Sequence, residues 1–353
     1  MVIPHLNGGG AARVSRNLAL GLSRRGYEVH LAAVTGDHGE WRGAPDISLH
    51  CLGAARVRWS APALVRLIRR LKPDAVLSNM AHLNLLVLAL QPAFPRKTRI
   101  LVRNDGGIRA DRLAPLAETV WRRLHRRADA IVCQSDAMAA DFVASLGAVK
   151  TLRVLPNPVD FEQVRRNKGV PMRWDSPGPN LLAIGRLVSP KGFDLLLSAF
   201  AAVLFNFPSA RVVLLGDGAE LNELQRLARK LGIADRVLFA GRVAGPEEWF
   251  PGATLYVQPS REDALPNALL EAAAAGLPIA VTPARGGLPA LLNNQAGCWI
   301  APEITALSLA HTITEALRSL ASGQRFAHTW VEPFAMSNAI ERYDALIREV
   351  HSA

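Results

Sequence analysis

The chain has 353 residues, half of them hydrophobic and only 6% aromatic, with a formal net charge of +11. That length exceeds one ordinary domain and suggests two, each able to bury a core of its own. The composition excludes a membrane-spanning class, because no apolar run approaches the ~18–20 residues such a helix needs.

The N-terminus, MVIPHLNGGG, lacks the basic region and cleavage site of a signal peptide. A first strand, Val2–Ile3, is expected to run into the glycine loop His5-Leu6-Asn7-Gly8-Gly9-Gly10 and then into a helix over residues 12–24. Three contiguous glycines are not the dinucleotide fingerprint, which needs a further glycine downstream. They either make a tight turn or let a ligand approach backbone N–H groups. Apolar runs at 27–34, 75–78, 100–102 and 130–134 read as buried strands. A basic amphipathic helix over 62–71 precedes the second of them. The longest apolar run, Leu83–Leu90, reaches at most half a membrane span. Cys51, Cys133 and Cys298 are scattered, and no Cys/His cluster has zinc-ligand spacing, so reduced packing residues of a cytoplasmic protein are expected.

The charge is one-sided. Residues 1–150 carry 22 Lys and Arg against 11 Asp and Glu, whereas residues 151–353 carry 19 of each. Arg66, Arg69, Arg70 and Lys72, then Arg96, Lys97 and Arg99, then Arg122, Arg123, Arg126 and Arg127 supply half of those cations. Such a first half suits an anionic partner: a membrane surface, a lipid-linked pyrophosphate or an anionic glycan. A solvated, arginine-rich surface is the alternative. Nucleic acid is not expected, because no recognition motif or aromatic stacking platform accompanies the charge.

Pro156, Pro158, Pro171, Pro177 and Pro179 crowd a stretch of little periodicity. It reads as a linker over 157–179 between domains at 1–156 and 180–328. Further strands are expected at 181–184, 211–215, 237–240, 255–258 and 278–282, most of them separated by helices. Strand–helix alternation in both halves predicts two doubly wound α/β domains with ligands at the carboxyl ends of the strands. The last segment, 329–353, is expected to be a helix crossing back to the first domain.

Four loops of the second half carry chemistry. Gly185-Arg186-Leu187-Val188-Ser189-Pro190-Lys191-Gly192 lies between a strand and a helix. Arg186 and Lys191 can clamp a pyrophosphate and neutralise the charge that grows on it as a leaving group. Gly216-Asp217-Gly218 follows the next strand and reads equally well as a tight turn. Gly241-Arg242-Val243 follows another and is placed to wrap a nucleobase with backbone groups. The fourth loop opens the stretch Ser260–Pro278, SREDALPNALLEAAAAGLP. Asp263 stands eight residues before Glu271, with Leu265-Pro266-Asn267 between them and a helix over 267–275. The bare N–H groups at that helix start make an anion site. Two carboxylates flanking it suit a ligand with both hydroxyls and phosphates, such as a nucleotide sugar.

Taken together, these residues resemble glycosyltransferase family 4, the retaining transferases of GT-B fold. The pattern reads here as Asn7-Gly8-Gly9-Gly10-Ala11; Gly185-Arg186 with Lys191-Gly192; Leu215-Gly216-Asp217-Gly218; Arg236-Val237-Leu238-Phe239-Ala240-Gly241; and Pro259-Ser260 through Pro278. The resemblance implies two Rossmann-like domains facing each other across a cleft. It implies a hexosyl- or N-acetylhexosaminyltransferase that takes sugar from a nucleotide diphosphate donor, UDP-linked rather than GDP-linked. The acceptor implied is a glycan or a lipid-linked molecule of polysaccharide or lipopolysaccharide biosynthesis. Arg186 and Lys191 are implied to hold the donor pyrophosphate, Glu271 the ribose and Asp263 the transferred sugar. Gly9, Gly10, Gly185, Gly241, Arg242, Val243, Leu265, Pro266 and Asn267 are implied to line the donor.

Two positions depart from the family pattern. Asp263 stands where a glutamate is usual, and its shorter side chain bears on how the sugar is held. Asp105, in Val102-Arg103-Asn104-Asp105-Gly106-Gly107, stands where the family often has a histidine near the sugar; the alternative is that it caps a turn. No D-x-D triplet occurs, so neither a divalent metal nor a cofactor is expected. The expected location is the cytoplasm, peripheral on the inner face of the cell membrane. Two rival readings are a nucleotide-sugar epimerase of the same architecture and a non-catalytic anionic-lipid-binding protein.

Overall fold

Short aliphatic runs form the strands, and most are followed by a helix that runs back over the sheet. The computed structural model describes residues 1–6, 10–35, 46–104, 115–147, 149–166, 174, 178–263 and 265–352. They fall into two units, 1–159 with 334–353 and 160–333.

The first unit holds β1 (Val2–His5), α1 (Gly10–Arg24), β2 (Val29–Thr35), β3 (Ile47–Cys51), a 3₁₀ turn (Val57–Ser60) and α2 (Ala61–Leu71). It continues with β4 (Ala75–Asn79), α3 (Ala81–Leu90), a 3₁₀ turn (Gln91–Ala93), β5 (Arg99–Arg103), α4 (Pro115–His125), β6 (Ala130–Cys133), α5 (Asp136–Leu146) and β7 (Leu152–Val154). Its sheet runs β3-β2-β1-β4-β5-β6-β7, and every pairing is parallel. The middle of β5, Ile100-Leu101-Val102, is fully buried, as a strand covered by helices on both faces must be. Helix α1 turns Val14, Leu18 and Leu22 inward at helical spacing. It opens at Gly10, two residues before the expected start.

The second unit holds α6 (Phe161–Arg166), β8 (Asn180–Ile184), α7 (Phe193–Val203), β9 (Arg211–Leu215), α8 (Leu221–Lys230), β10 (Val237–Gly241), β11 (Leu255–Gln258), α9 (Asn267–Ala274), β12 (Ile279–Val281), α10 (Leu288–Leu292), β13 (Cys298–Ile300) and α11 (Ala306–Ser319). Its parallel sheet runs β10-β9-β8-β11-β12-β13. Leu196, Phe200 and Val203 of α7 share one core with Ile313, Ala316 and Leu317 of α11. Helix α6 lies inside the stretch read as a linker. Its short amphipathic run buries Phe161 and Val164 between flanking prolines that mask the period.

After a 3₁₀ turn at Thr329–Phe334, the last helix, α12 (Met336–Ser352), returns to the first unit. Two backbone bonds stitch the crossing, Val159 N to Phe334 O (3.2 Å) and Met336 N to Val159 O (3.0 Å). Helix α12 packs on α1 so closely that a Cβ on Gly21 would lie 2.3 Å from the Ile340 side chain. Among the described residues no helix is long and apolar enough to cross a membrane.

Candidate active site

In both sheets the strand order reverses beside the first strand, between β1 and β4 and between β8 and β11. Such switch points leave room for ligands at the carboxyl ends of the strands. In the second unit the loops after β8, β9, β10 and β11 gather at that edge.

Leu187, fully buried, anchors the loop after β8. Its N–H donates to Asp217 O (3.0 Å), and Gly185 N donates to Leu215 O (2.9 Å). A 3₁₀ turn at Ser189–Lys191 ends at Gly192, whose φ of +67° favours glycine. A Cβ there would lie 2.0 Å from Pro259 O. At Gly216, with φ of +146°, a Cβ would lie 1.8 Å from Gly185 O. The glycine turn after β9 is therefore a packing device that lets two loops touch. Gly216 N in turn donates to Gly241 O (2.8 Å), which ties in the loop after β10. Arg186 and Arg242 are exposed at this edge. The Arg186 side chain has no hydrogen-bond or ion-pair partner among the described residues.

The loop after β11 is fastened to the turn after β8. The N–H groups of Arg261 and Glu262 donate to Pro190 O at 2.8 and 3.2 Å. The Arg261 guanidinium donates to Ser189 O (2.9 Å) and takes both carboxylate oxygens of Asp194 at 2.8 and 2.6 Å. Burial alone would raise the Asp194 carboxyl, but the Arg261 hydrogen bonds and charge outweigh it and hold the group below its ordinary value. This fastening brings Lys191 Nζ into contact with Asp263 Oδ2. The same oxygen accepts from Ser260 Oγ (3.2 Å) and Gln258 Nε2 (3.4 Å). Gln258 also donates to Ser260 Oγ (2.7 Å) and accepts from Tyr256 OH (2.7 Å). Tyr256 is fully buried. Burial first, then the carboxylates of Asp263 and Glu271, hold its phenol well above the ordinary value.

Leu265 and Pro266 are buried, and extended backbone at Pro266 starts α9 without a side-chain cap. The first N–H groups of this helix, at Asn267 and Ala268, precede its first intrahelical donors, Leu269 and Leu270. Glu271 sits on the buried side of the helix, 5% exposed.

The structure thus gathers Gly185, Arg186, Lys191, Asp263, Leu265, Pro266, Asn267 and Glu271 at the carboxyl edge of β8 and β11. It sets Gly241, Arg242 and Val243 at the end of β10. Gly10 begins α1, whereas Gly9 and Asp105 lie outside the described residues. The sequence did not disclose the Arg261–Asp194 pair or the Tyr256–Gln258–Ser260 chain. In the first unit, Arg103 ends β5 at 1% exposure and donates to Asn79 Oδ1 (3.4 Å) and to Asn157 Oδ1. No carboxylate pairs with it among the described residues.

Two Rossmann-like domains with such an edge are the architecture of GT-B glycosyltransferases. Residues 178–319 match the family described as Glycosyl transferases group 1, and residues 8–163 match Glycosyltransferase Family 4. The chain is 30% identical to the lipopolysaccharide core biosynthesis glycosyltransferase LpsE of Rhizobium meliloti, covering 79% of this chain and 77% of that protein. It is 27% identical to a GDP-mannose-dependent alpha-(1-6)-phosphatidylinositol monomannoside mannosyltransferase of Mycobacterium tuberculosis, covering 60% of this chain and 59% of that protein. In fold it is similar to a glycosyltransferase from Rickettsia africae, with TM-score 0.80, 15% identity, and coverage of 99% and 97%. It is also similar to Anabaena HepE in complex with UDP and glucose, with TM-score 0.79, 16% identity, and coverage of 98% of each chain. The chain belongs to glycosyltransferase family 4 and is a glycosyltransferase. Neither the epimerase nor the non-catalytic reading is favoured by these matches.

Proposed function

We propose that this glycosyltransferase takes a hexosyl or N-acetylhexosaminyl group from a UDP-sugar. It passes the sugar, with retention at the anomeric carbon, to a glycan or lipid-linked acceptor. The observation that carries the reading is the meeting of Lys191 with Asp263 at the second unit's switch point, where Arg186 is left unpaired and α9 begins. Charge grows on the diphosphate as the glycosidic bond breaks. Arg186, Lys191 and the first N–H groups of α9 are the donors that neutralise it. These two cations supply the positive charge, so the reading needs no divalent metal or cofactor. Glu271 is assigned to the ribose, Asp263 to a hydroxyl of the transferred sugar, and the backbone of Gly241–Val243 to the base. UDP is supported by the HepE complex; GDP-mannose, named for the mycobacterial relative, is the competing outcome. Retention rests on the family resemblance.

Thermal shift with UDP-, GDP- and ADP-sugars tests the donor. The expected result is a rise in melting temperature with UDP and one UDP-sugar. A rise with GDP alone reassigns the base, and no rise with any of the three overturns the reading. NMR of the product reports the anomeric configuration.

We propose further that the first unit attaches to an anionic membrane surface through the layer of α2, α3 and α4. Helix α3, AHLNLLVLAL, carries no charged side chain, yet Ala81, His82 and Ala89 are exposed and Leu85 and Leu86 half-exposed. It touches the 57–60 turn, α2 and α4. The turn presents Trp59 at 58% exposure with Arg56 and Arg58 stacked on it at 5.6 and 5.4 Å, and α4 presents Leu116 and Val120. Exposed apolar groups rimmed by arginine suit the interface of an anionic bilayer.

A further inference from the structure

The contact between Lys191 and Asp263 sets one proposed phosphate ligand against a fixed anion. The Asp263 carboxylate and the backbone that carries Lys191 are both fixed in place. Asp263 N donates to Arg285 O (2.9 Å), and its Oδ2 is also held by Ser260 and Gln258. Ser260 is held by Thr282, whose hydroxyl donates to Ser260 O. On the other side, Lys191 N donates to Val188 O (2.9 Å), and Gly192 is packed on Pro259 O. The Asp263 side chain is 9% exposed and that of Lys191 21%, so water screens their charges weakly. Glu271 adds a second buried carboxylate close enough for Tyr256 to feel both. The edge thus sets Arg186 and Lys191 beside two carboxylates, with Arg242 a further cation at the end of β10.

That arrangement distinguishes donor from product. In a nucleoside-diphosphate sugar the terminal phosphate is a diester and carries one negative charge. After transfer it is a monoester, whose second ionisation lies near pH 6. The product therefore brings one more negative charge than the donor to the same place. We propose that Asp263 acts as a counter-charge on Lys191 that weakens the hold on the product diphosphate more than the hold on the donor, and so favours product release. The proposal rests on the donor reading above.

The test is the affinity of the full chain for UDP and for the UDP-sugar, by calorimetry at pH 7.5, in wild type, Asp263→Asn, Asp263→Ser and Asp263→Glu. Asp263→Asn is expected to tighten UDP by about tenfold and the UDP-sugar by less. Asp263→Ser keeps a hydroxyl for Ser260 and Gln258 and covers the case in which the asparagine variant does not fold. Asp263→Glu keeps the charge and is expected to bind UDP as wild type does. Unchanged or weaker UDP binding in both neutral variants overturns the proposal, as does equal tightening by Asp263→Glu. A wild type that binds neither UDP nor GDP overturns the donor reading itself, and the counter-charge with it. Binding by wild type without a gain in the neutral variants removes the counter-charge alone.

Discussion

At the scale of single residues, Arg186 and Lys191 differ in how they are held. Arg186 is exposed and unpaired among the described residues, whereas Lys191 is fixed by Asp263. Each charge-assisted contact to a phosphate is worth about 1.5–3 kcal/mol. The double variant Arg186→Ala, Lys191→Ala is therefore expected to weaken UDP by well over tenfold in calorimetry and, because it leaves the buried Asp263 carboxylate without its cation, to lower the melting temperature in the absence of ligand. Equal affinity would remove both from the diphosphate site. These residues were legible in the sequence because their signal is local: a strand, a glycine, a cation, a turn. Arg261 and Asp194 were not, since they stand 67 residues apart and only the meeting of two loops joins them. The packing role of Gly216 was equally silent, because it depends on a carbonyl from another strand's loop.

At the scale of elements, the central strands and the edge strand β10 were readable, whereas three other edge strands were not. Strands β9 and β11 fall where the apolar runs at 211–215 and 255–258 placed them. Strands β3, β7 and β13 lie at sheet edges, and their burial is mixed or partial. Short strands of that kind give no clean period. The pairing of α12 with α1 yields two expectations. A larger side chain at Gly21 meets Ile340, so Gly21→Leu is expected to cost about 1–3 kcal/mol in chemical denaturation. No loss of stability would mean that the two helices can separate freely. Asp344 of α12 accepts from Tyr27 OH (2.5 Å), Arg348 Nε (2.9 Å) and Arg25 (3.1 Å). The Tyr27 bond first, then Arg348, lowers its pKa from 3.8 to about 2. A depressed carboxyl stabilises the fold above its unfolded value and loses that contribution as pH falls through the folded one. Asp344→Asn should therefore lower the melting temperature at pH 7, and the gap to wild type should close between pH 4 and about 2. A gap that does not change with pH would show that ionisation of Asp344 is not what matters.

For the molecule as a whole, the basic clusters divide by sheet edge. Arg69, Arg70 and Lys72, Arg96 and Lys97, and Arg126 and Arg127 stand just before β4, β5 and β6 or on the helix ends leading there, at the amino edge of the first sheet. Trp59, Arg56 and Arg58 stand at the opposite edge, where α2 begins. The layer of α2, α3 and α4 thus has cations at both ends and an apolar middle. Each cation near an anionic bilayer is worth about 1 kcal/mol and is screened by salt. Co-sedimentation with phosphatidylglycerol vesicles is expected at low salt and largely lost at high salt. Trp59→Ser with Leu116→Ser should weaken what remains, and no retention at low salt would remove the membrane surface as a partner. The double crossing of the chain, at 159–160 and 333–334, bears on biosynthesis. The second unit is one continuous stretch, so a ribosome releases all of it before the first unit has received α12. Until then the face of α1 around Gly21 waits uncovered, and the first unit to be translated is the last to be finished.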